Sequence, residues 1–138
     1  MNFSAQTGAN QTQDFLDEKM EKRRKGVYGP PVGKKMCVFV DDLNMPKKET
    51  YGAQPPLELL RQLLGHKGWY DRKSKERPFL KIEDIIIVAA MAPPGGGRAV
   101  ISARVQRMFN IMTYTDLQES SMDTIFTTIL NAFWFNFS

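Results

Sequence analysis

The residues best placed to do chemistry are Asp41 and Asp42, which close the run Met36-Cys37-Val38-Phe39-Val40. A continuous apolar run of this kind reads as a buried strand of a parallel sheet. Such a strand carries terminal carboxylates rigidly to the carboxyl edge of the sheet, where open α/β folds bind ligands. There one carboxylate can hold Mg²⁺ through water, and the next can polarise an attacking water. This is the Walker B pattern. Apolar strands also end in Asp simply because a loop begins, so the five residues Val38 to Asp42 leave both readings open.

Other groups invite chemistry and mostly fail a closer test. Gly29-Pro30-Pro31-Val32-Gly33-Lys34-Lys35 looks like a phosphate loop, but that loop needs four residues between its glycines and Ser or Thr after the lysine. Here there are three, Lys35 stands in the hydroxyl position, and two prolines remove N–H donors. Gly95-Gly96-Gly97-Arg98 reads as a flexible loop after a strand. Arg104 and Arg107 lie three apart, on one face of a short helix. They fit two solvated arginines, or an arginine finger that reaches a neighbour's phosphate. His66 reads as a helix-end residue and Trp69-Tyr70 as a packing anchor.

The elements that must position these residues alternate between strand and helix. Residues 2–6 read as a short strand, and Asn10-x-x-Gln13 as a capping box opening a helix over 11–25 with a thin stripe of Phe15, Leu16 and Met20. The cations Lys22-Arg23-Arg24-Lys25 then sit at a solvated helix end. Gly26 to Gly33 reads as a loop. Pro55-Pro56 opens a helix lined by Leu57, Leu60 and Leu64, with Gly65 as its stop. Trp69 to Lys81 reads as a hairpin or loop. Asp84 to Ala90 is a second buried strand, residues 101–108 a short helix, and Phe109 to Tyr114 a further strand. Met122, Ile125, Phe126, Ile129, Leu130 and Phe133 keep helical spacing in a last helix. The pattern predicts an α/β fold with a mainly parallel sheet covered on both faces.

Composition bounds the rest. The 138 residues suffice for one domain. At 42% hydrophobic and 25% charged the chain is globular rather than disordered. No apolar run reaches the ~18 residues of a membrane span, and the first residues lack the basic start and apolar core of a secretory signal. A single cysteine, Cys37, excludes an internal disulfide and a Cys-cluster metal site. A single histidine argues against a His-based metal site or triad, and together these features predict an intracellular protein. The formal charge of +4 is mild, and Asp17, Glu18 and Glu21 dilute the one basic stretch, so neither nucleic acid nor membrane is expected as a partner.

Six stretches together resemble axonemal dynein heavy chains. They are Asn2-Phe3-Ser4-Ala5-Gln6-Thr7, Lys22-Arg23-Arg24-Lys25-Gly26-Val27-Tyr28-Gly29-Pro30-Pro31, Val38-Phe39-Val40-Asp41-Asp42-Leu43-Asn44-Met45-Pro46, Tyr51-Gly52-Ala53-Gln54-Pro55-Pro56, Trp69-Tyr70-Asp71-Arg72 and Ala90-Met91-Ala92-Pro93-Pro94-Gly95-Gly96-Gly97-Arg98. The resemblance is to the third AAA+ module of the motor ring and runs over residues 1–133, with 134–138 as a tail unlike the family. It implies a partial P-loop NTPase-like, three-layer AAA+ fold, in a ring that turns ATP hydrolysis into microtubule sliding. It also implies neighbouring modules of the same heavy chain, the dynein complex and microtubules as partners, and the cytoskeleton of a cilium or flagellum as location.

By the family pattern, Asp41 holds Mg²⁺ through water, Asp42 is the water-activating acid, and both face ATP or ADP. Arg104 matches the finger directed at the neighbouring module, and Arg107 is a possible second arginine. Three departures matter. Asp42 stands where many active relatives have Glu, Met91 occupies a sensor position that often holds Asn or Thr, and Ala103 replaces the usual Pro before the finger. In the family a strand and a Gly-rich phosphate loop precede the stretch matching Asn2, and no such loop occurs in these residues. The expectation is a catalytically inactive piece with no bound nucleotide, an open edge on the strand Ile85 to Ala90, and marginal stability. The alternative is a stand-alone, non-catalytic protein-interaction module.

Overall fold

The computed structural model describes residues 1–135. Helix α1 (Ala9–Asp17) starts two residues earlier than the capping pattern predicts. Its cap is Gly8, whose N–H donates to Gln11 Oε1 at 3.2 Å. Gln13, the expected cap partner, is buried and donates through Nε2 to the Tyr70 carbonyl at 2.9 Å instead. Leu16 is buried and Phe15 exposed. The helix stops at Asp17, not at Lys25, and the basic run forms β1 (Glu21–Arg24), a hairpin strand with β2 (Val27–Gly29).

The physical reasons for that correction are local and tertiary. Gly26 turns the chain at φ +72°, a conformation glycine adopts freely. Arg23 donates to the Pro30 carbonyl through Nε and Nη2 at 3.1 and 2.8 Å and pairs with Asp84. Arg24 pairs with Glu83 at 2.8 Å. These two cations link chain segments rather than decorating a helix end. The predicted loop from Gly26 to Gly33 likewise contains a strand, β2.

Strand β3 (Met36–Val40) forms as predicted. Helix α2 (Pro55–His66) follows, opened by Pro55 where the missing N–H costs nothing. It buries Leu57, Leu60 and Leu63, and passes Gly65 by one residue to end at Lys67, φ +56°. The hairpin expected after Trp69 is β4 (Gly68–Tyr70) with β5 (Phe79–Ile82), and β6 (Ile85–Ala89) comes next. Helix α3 (Ala103–Gln106) is short, and α4 (Glu119–Phe135) closes the described chain. The predicted tail at 134–138 overlaps α4 at Trp134 and Phe135; its residues 136–138 lie outside the described residues.

Two sheets result, one ordered β1-β2-β5-β4 and one made of β3 and β6. The β3–β6 pair is parallel and in register from Met36↔Ile85 to Val40↔Ala89. The strand predicted at residues 2–6 reduces to a single parallel bridge, Asn2↔Asp41, on the far side of β3. Phe109 to Tyr114 is not a strand, because no strand among the described residues offers it a ladder. Ile111, Met112 and Tyr114 are exposed. The core is one cluster drawn from several elements, with Leu16, Val40, Leu57, Leu60, Trp69 and Val105 its most enclosed members.

Burial on both faces of the parallel strands is not what the structure has. Val38 and Val40 point into the core, while Cys37, Phe39, Ile86 and Val88 are exposed. The apolar stripe of α4 forms on schedule, yet no described residue of that helix is buried. Open apolar strand faces and helix stripes seek cover in water. At about 10 μM, where exposed apolar surface drives association, the 138-residue chain is expected to sediment as a mixture of oligomers. Phe39→Lys combined with Ile86→Glu should shift it towards monomer. A monodisperse wild-type monomer would count against this expectation.

Candidate functional site

The site is built on the end of β3. Asp41 belongs to the bridge with the N-terminal segment. Its N–H donates to the Met1 carbonyl at 2.9 Å, and its carbonyl accepts from the Phe3 N–H at 3.0 Å. With its backbone so held, its exposed carboxylate accepts the Asp42 N–H on Oδ1 at 3.0 Å. The chain then turns sharply at Asp42, whose φ is +52°. This left-handed conformation is tolerated by Asp far better than by longer or branched residues. The Leu43 N–H donates to the Ala90 carbonyl and the Met45 N–H to the Asp42 carbonyl, each at 2.9 Å. Both acids therefore emerge at the carboxyl edge of β3, beside the carboxyl end of β6.

Two residues that sequence reasoning passed over complete this corner. Asn44 is buried; its Nδ2 donates to the Ala92 carbonyl at 2.7 Å, and its carbonyl accepts from Ala99 N–H at 2.9 Å. Arg98 places Nη2 3.4 Å from Asp42 Oδ1. It stands on a turn in which Gly95 and Arg98 exchange N–H···O bonds of 3.2 and 3.0 Å. Gly95, Gly96 and Gly97 all take positive φ there, at 132°, 56° and 87°. The glycine run is therefore a shaped turn. Arg98 lies fifty-six residues beyond Asp42, a separation that no local spacing rule reaches. The buried Asn44 had one readable signal, a polar residue directly after the acid pair and Leu43.

The remaining candidates fall as follows. Met91 follows β6 and is partly exposed. Gln54 donates through Nε2 to the Pro46 carbonyl at 2.7 Å, tying the turn after the acids to the start of α2. Arg104 lies in α3 and Arg107 caps it; both are exposed, and neither makes an ion pair among the described residues. No hydrogen bond or ion pair joins them to Asp41 or Asp42 among the described residues. The rejected phosphate loop is structural: Gly29 belongs to β2, and the Pro30 and Lys34 carbonyls accept from Arg23.

Among the described residues no three His, Cys, Asp or Glu side chains cluster to cage a metal. One exposed carboxylate at a sheet edge does suit Mg²⁺, which keeps most of its water and needs only one or two protein carboxylates. Fold and site together define an α/β module with two carboxylates at the carboxyl edge of a parallel strand pair.

Comparison with known proteins narrows the class. A family model described as "P-loop containing dynein motor region" matches residues 1–117. The chain is 56% identical over 130 residues to dynein axonemal heavy chain 1 of Homo sapiens, covering 94% of this chain and 3% of that protein. It is 54% identical over 129 residues to dynein axonemal heavy chain 3 of Mus musculus, again 94% and 3%. With dynein axonemal heavy chain 12 of Rattus norvegicus it shares 50% over 130 residues, 94% of this chain and 4% of that one. The chain belongs to the dynein motor-region family, and these relatives it resembles are axonemal dynein heavy chains. It spans about 3% of the length of the first curated relatives it matches.

Proposed function

We propose that this region forms the hydrolysis half of an ATP site in the motor of an axonemal dynein heavy chain, specifically in the third AAA+ module, with residues 1–133 as its share of that module. The observation that carries the proposal is the register of β3 on β6, which brings Asp41 and Asp42 to one sheet edge. Asp41 would hold Mg²⁺ through water, and the ion when bound would supply positive charge to the phosphates. Asp42 orients and polarises the attacking water. Arg104 serves the neighbouring module's site, and Arg107 stands one turn on as a second cation. The working partners are then neighbouring modules of the same heavy chain, the dynein complex and microtubules, within the axoneme of a cilium or flagellum.

Two features of the site favour slow turnover. Asp42 reaches one methylene less far than Glu, and Met91 brings only a thioether, a weak acceptor, to the sensor position. Backbone N–H groups and a lysine supply most of the phosphate binding in P-loop enzymes, and these 138 residues contain no Gly-x-x-x-x-Gly-Lys-Ser/Thr run. Isothermal titration of the chain with Mg-ATP is therefore expected to give a Kd of about 1 mM or weaker, roughly −4 kcal/mol. Micromolar binding would overturn the division of labour proposed here.

A further inference from the structure

We infer that Arg98 is a positioning residue for Asp42. Its guanidinium, presented by the glycine turn, restrains the carboxylate that polarises the attacking water. The inference rests on the nucleotide-site reading of Asp42 given above and adds a residue to that site.

Both ends of the Arg98–Asp42 contact stand on backbone that is held in place. Asp42 sits at φ +52° with the Leu43 and Met45 N–H groups bonded on either side of the turn. Arg98 exchanges two hydrogen bonds with Gly95, and the next residue, Ala99, donates to the Asn44 carbonyl. Asn44 in turn reaches Ala92 through its side chain. The turn bearing the acids and the loop after β6 are thus stitched at Ala90, Ala92, Arg98 and Ala99. A surface arginine on a free loop would have no such framework beneath it.

The polar atoms left over belong to the same stitch. Arg98 Nε and Asn44 Oδ1 are buried and have no hydrogen-bond partner among the described residues. A solvated arginine turns its donors to water; Arg98 keeps Nε inside and spends Nη2 on Asp42. The need for such a restraint follows from the neighbours. Asp has a single torsion between its Cβ and its carboxylate, so its oxygens are steered by the backbone and by whatever they bond. Met91, on the adjoining strand end, makes no strong hydrogen bond to water or carboxylate. Arg98 is the cation paired with Asp42 among the described residues.

The first test uses the 138-residue chain and hydrogen–deuterium exchange. Arg98→Gln and Asp42→Asn should each raise exchange in peptides spanning Ala99 by about fivefold, and the double variant should exceed neither, because both singles remove one shared contact. Additive effects would overturn the inference. The second test places the variants in the full heavy chain with the other modules silenced. Asp42→Asn should lower ATP turnover at this module about a hundredfold. Arg98→Gln should lower kcat about tenfold with KM little changed, the loss expected of a misplaced group. Arg98→Lys should restore most of it, since one donor makes the contact. Loss of turnover in Asp42→Asn with none in Arg98→Gln would overturn the role of Arg98 and leave the nucleotide-site reading intact. Undiminished turnover in Asp42→Asn would overturn that reading itself.

Discussion

Replacing Trp69 with alanine is expected to unfold much of the chain at ambient temperature. The side chain is 1% exposed and lies in the one core cluster, on a three-residue strand packed against α2. Emptying a buried aromatic site costs about 3–5 kcal/mol, a large share of the ~5–15 kcal/mol that holds an ordinary domain together. A second loss falls on Asp17, whose Oδ1 accepts from Trp69 Nε1 at 3.2 Å. Burial already pushes the Asp17 carboxyl above the usual carboxylate range, and the Trp69 hydrogen bond works the other way. A carboxyl whose folded-state pKa is raised opposes folding once ionised. That penalty is absent below its ordinary pKa and complete above the raised one. The Trp69→Ala variant should therefore be hurt most near neutral pH and less in mild acid. Trp69→Phe keeps most of the packing but drops the donor, and should cost about 1–2 kcal/mol. Urea melts at two pH values check both claims; a Trp69→Ala midpoint close to wild type would show that the core does not depend on β4.

The strands that carry chemistry were legible because their signals are local. Val38 to Val40 is an apolar run ending at Asp41, Ile85 to Val88 is one opening after Asp84, and Pro55-Pro56 ahead of a leucine stripe marks a helix start. What escaped was set by pairing at a distance. Glu21 to Arg24 has no apolar alternation to announce a strand. It becomes one because Gly26 turns it onto β2, which itself pairs with β5 more than fifty residues on. Phe109 to Tyr114 has the opposite character: its composition suits a strand, but a strand also needs a partner, and none stands beside it in the described residues. The same rule divides the site. Asp41 and Asp42 are neighbours in sequence and were readable as a pair. The Asp42–Arg98 contact depends on how two loops meet, and Asn44's burial depends on the carbonyl of Ala92 being there to receive it.

Burial on one face only also has a reading in these terms. Hydrophobic runs predict that a strand will be covered without naming what covers it. Val38 and Val40 find Leu16, Leu57 and Leu60 within the same cluster. Phe39, Ile86 and Val88 stay about half exposed. A ring of modules, in the proposed setting, would supply neighbouring surface for such side chains, and so connects the exposed face with the arginine that is proposed to work across a module boundary.

Arg104→Ala is expected to leave this chain's own fold nearly unchanged while lowering ATP turnover at the neighbouring module by about a thousandfold. The first half follows from exposure: Arg104 makes no ion pair among the described residues, and surface substitutions of this kind usually stay within ~0.5 kcal/mol. The second half follows from how firmly its base is held. Ile101 and Val105, on either side, are buried at 5% and 1% exposure, and Gln106 Nε2 donates to the Ile101 carbonyl at 3.1 Å. α3 is thus pinned from beneath while Arg104 projects outward. Ala103, where the family usually has proline, occupies the first helical position, and Ser102 before it is extended at φ −67°, ψ 146°. Those are the conditions a proline there would impose, so its absence leaves the course of the backbone unchanged. Ala103→Pro should accordingly be tolerated with no loss of melting temperature. Arg107→Ala, on the cap of the same short helix, should have a smaller effect on the neighbour than Arg104→Ala. Single-turnover hydrolysis in the full heavy chain, followed separately at this module and the next, makes the comparison. An equal loss at both modules, or a greater loss at this one, would mean that Arg104 does not act across the boundary.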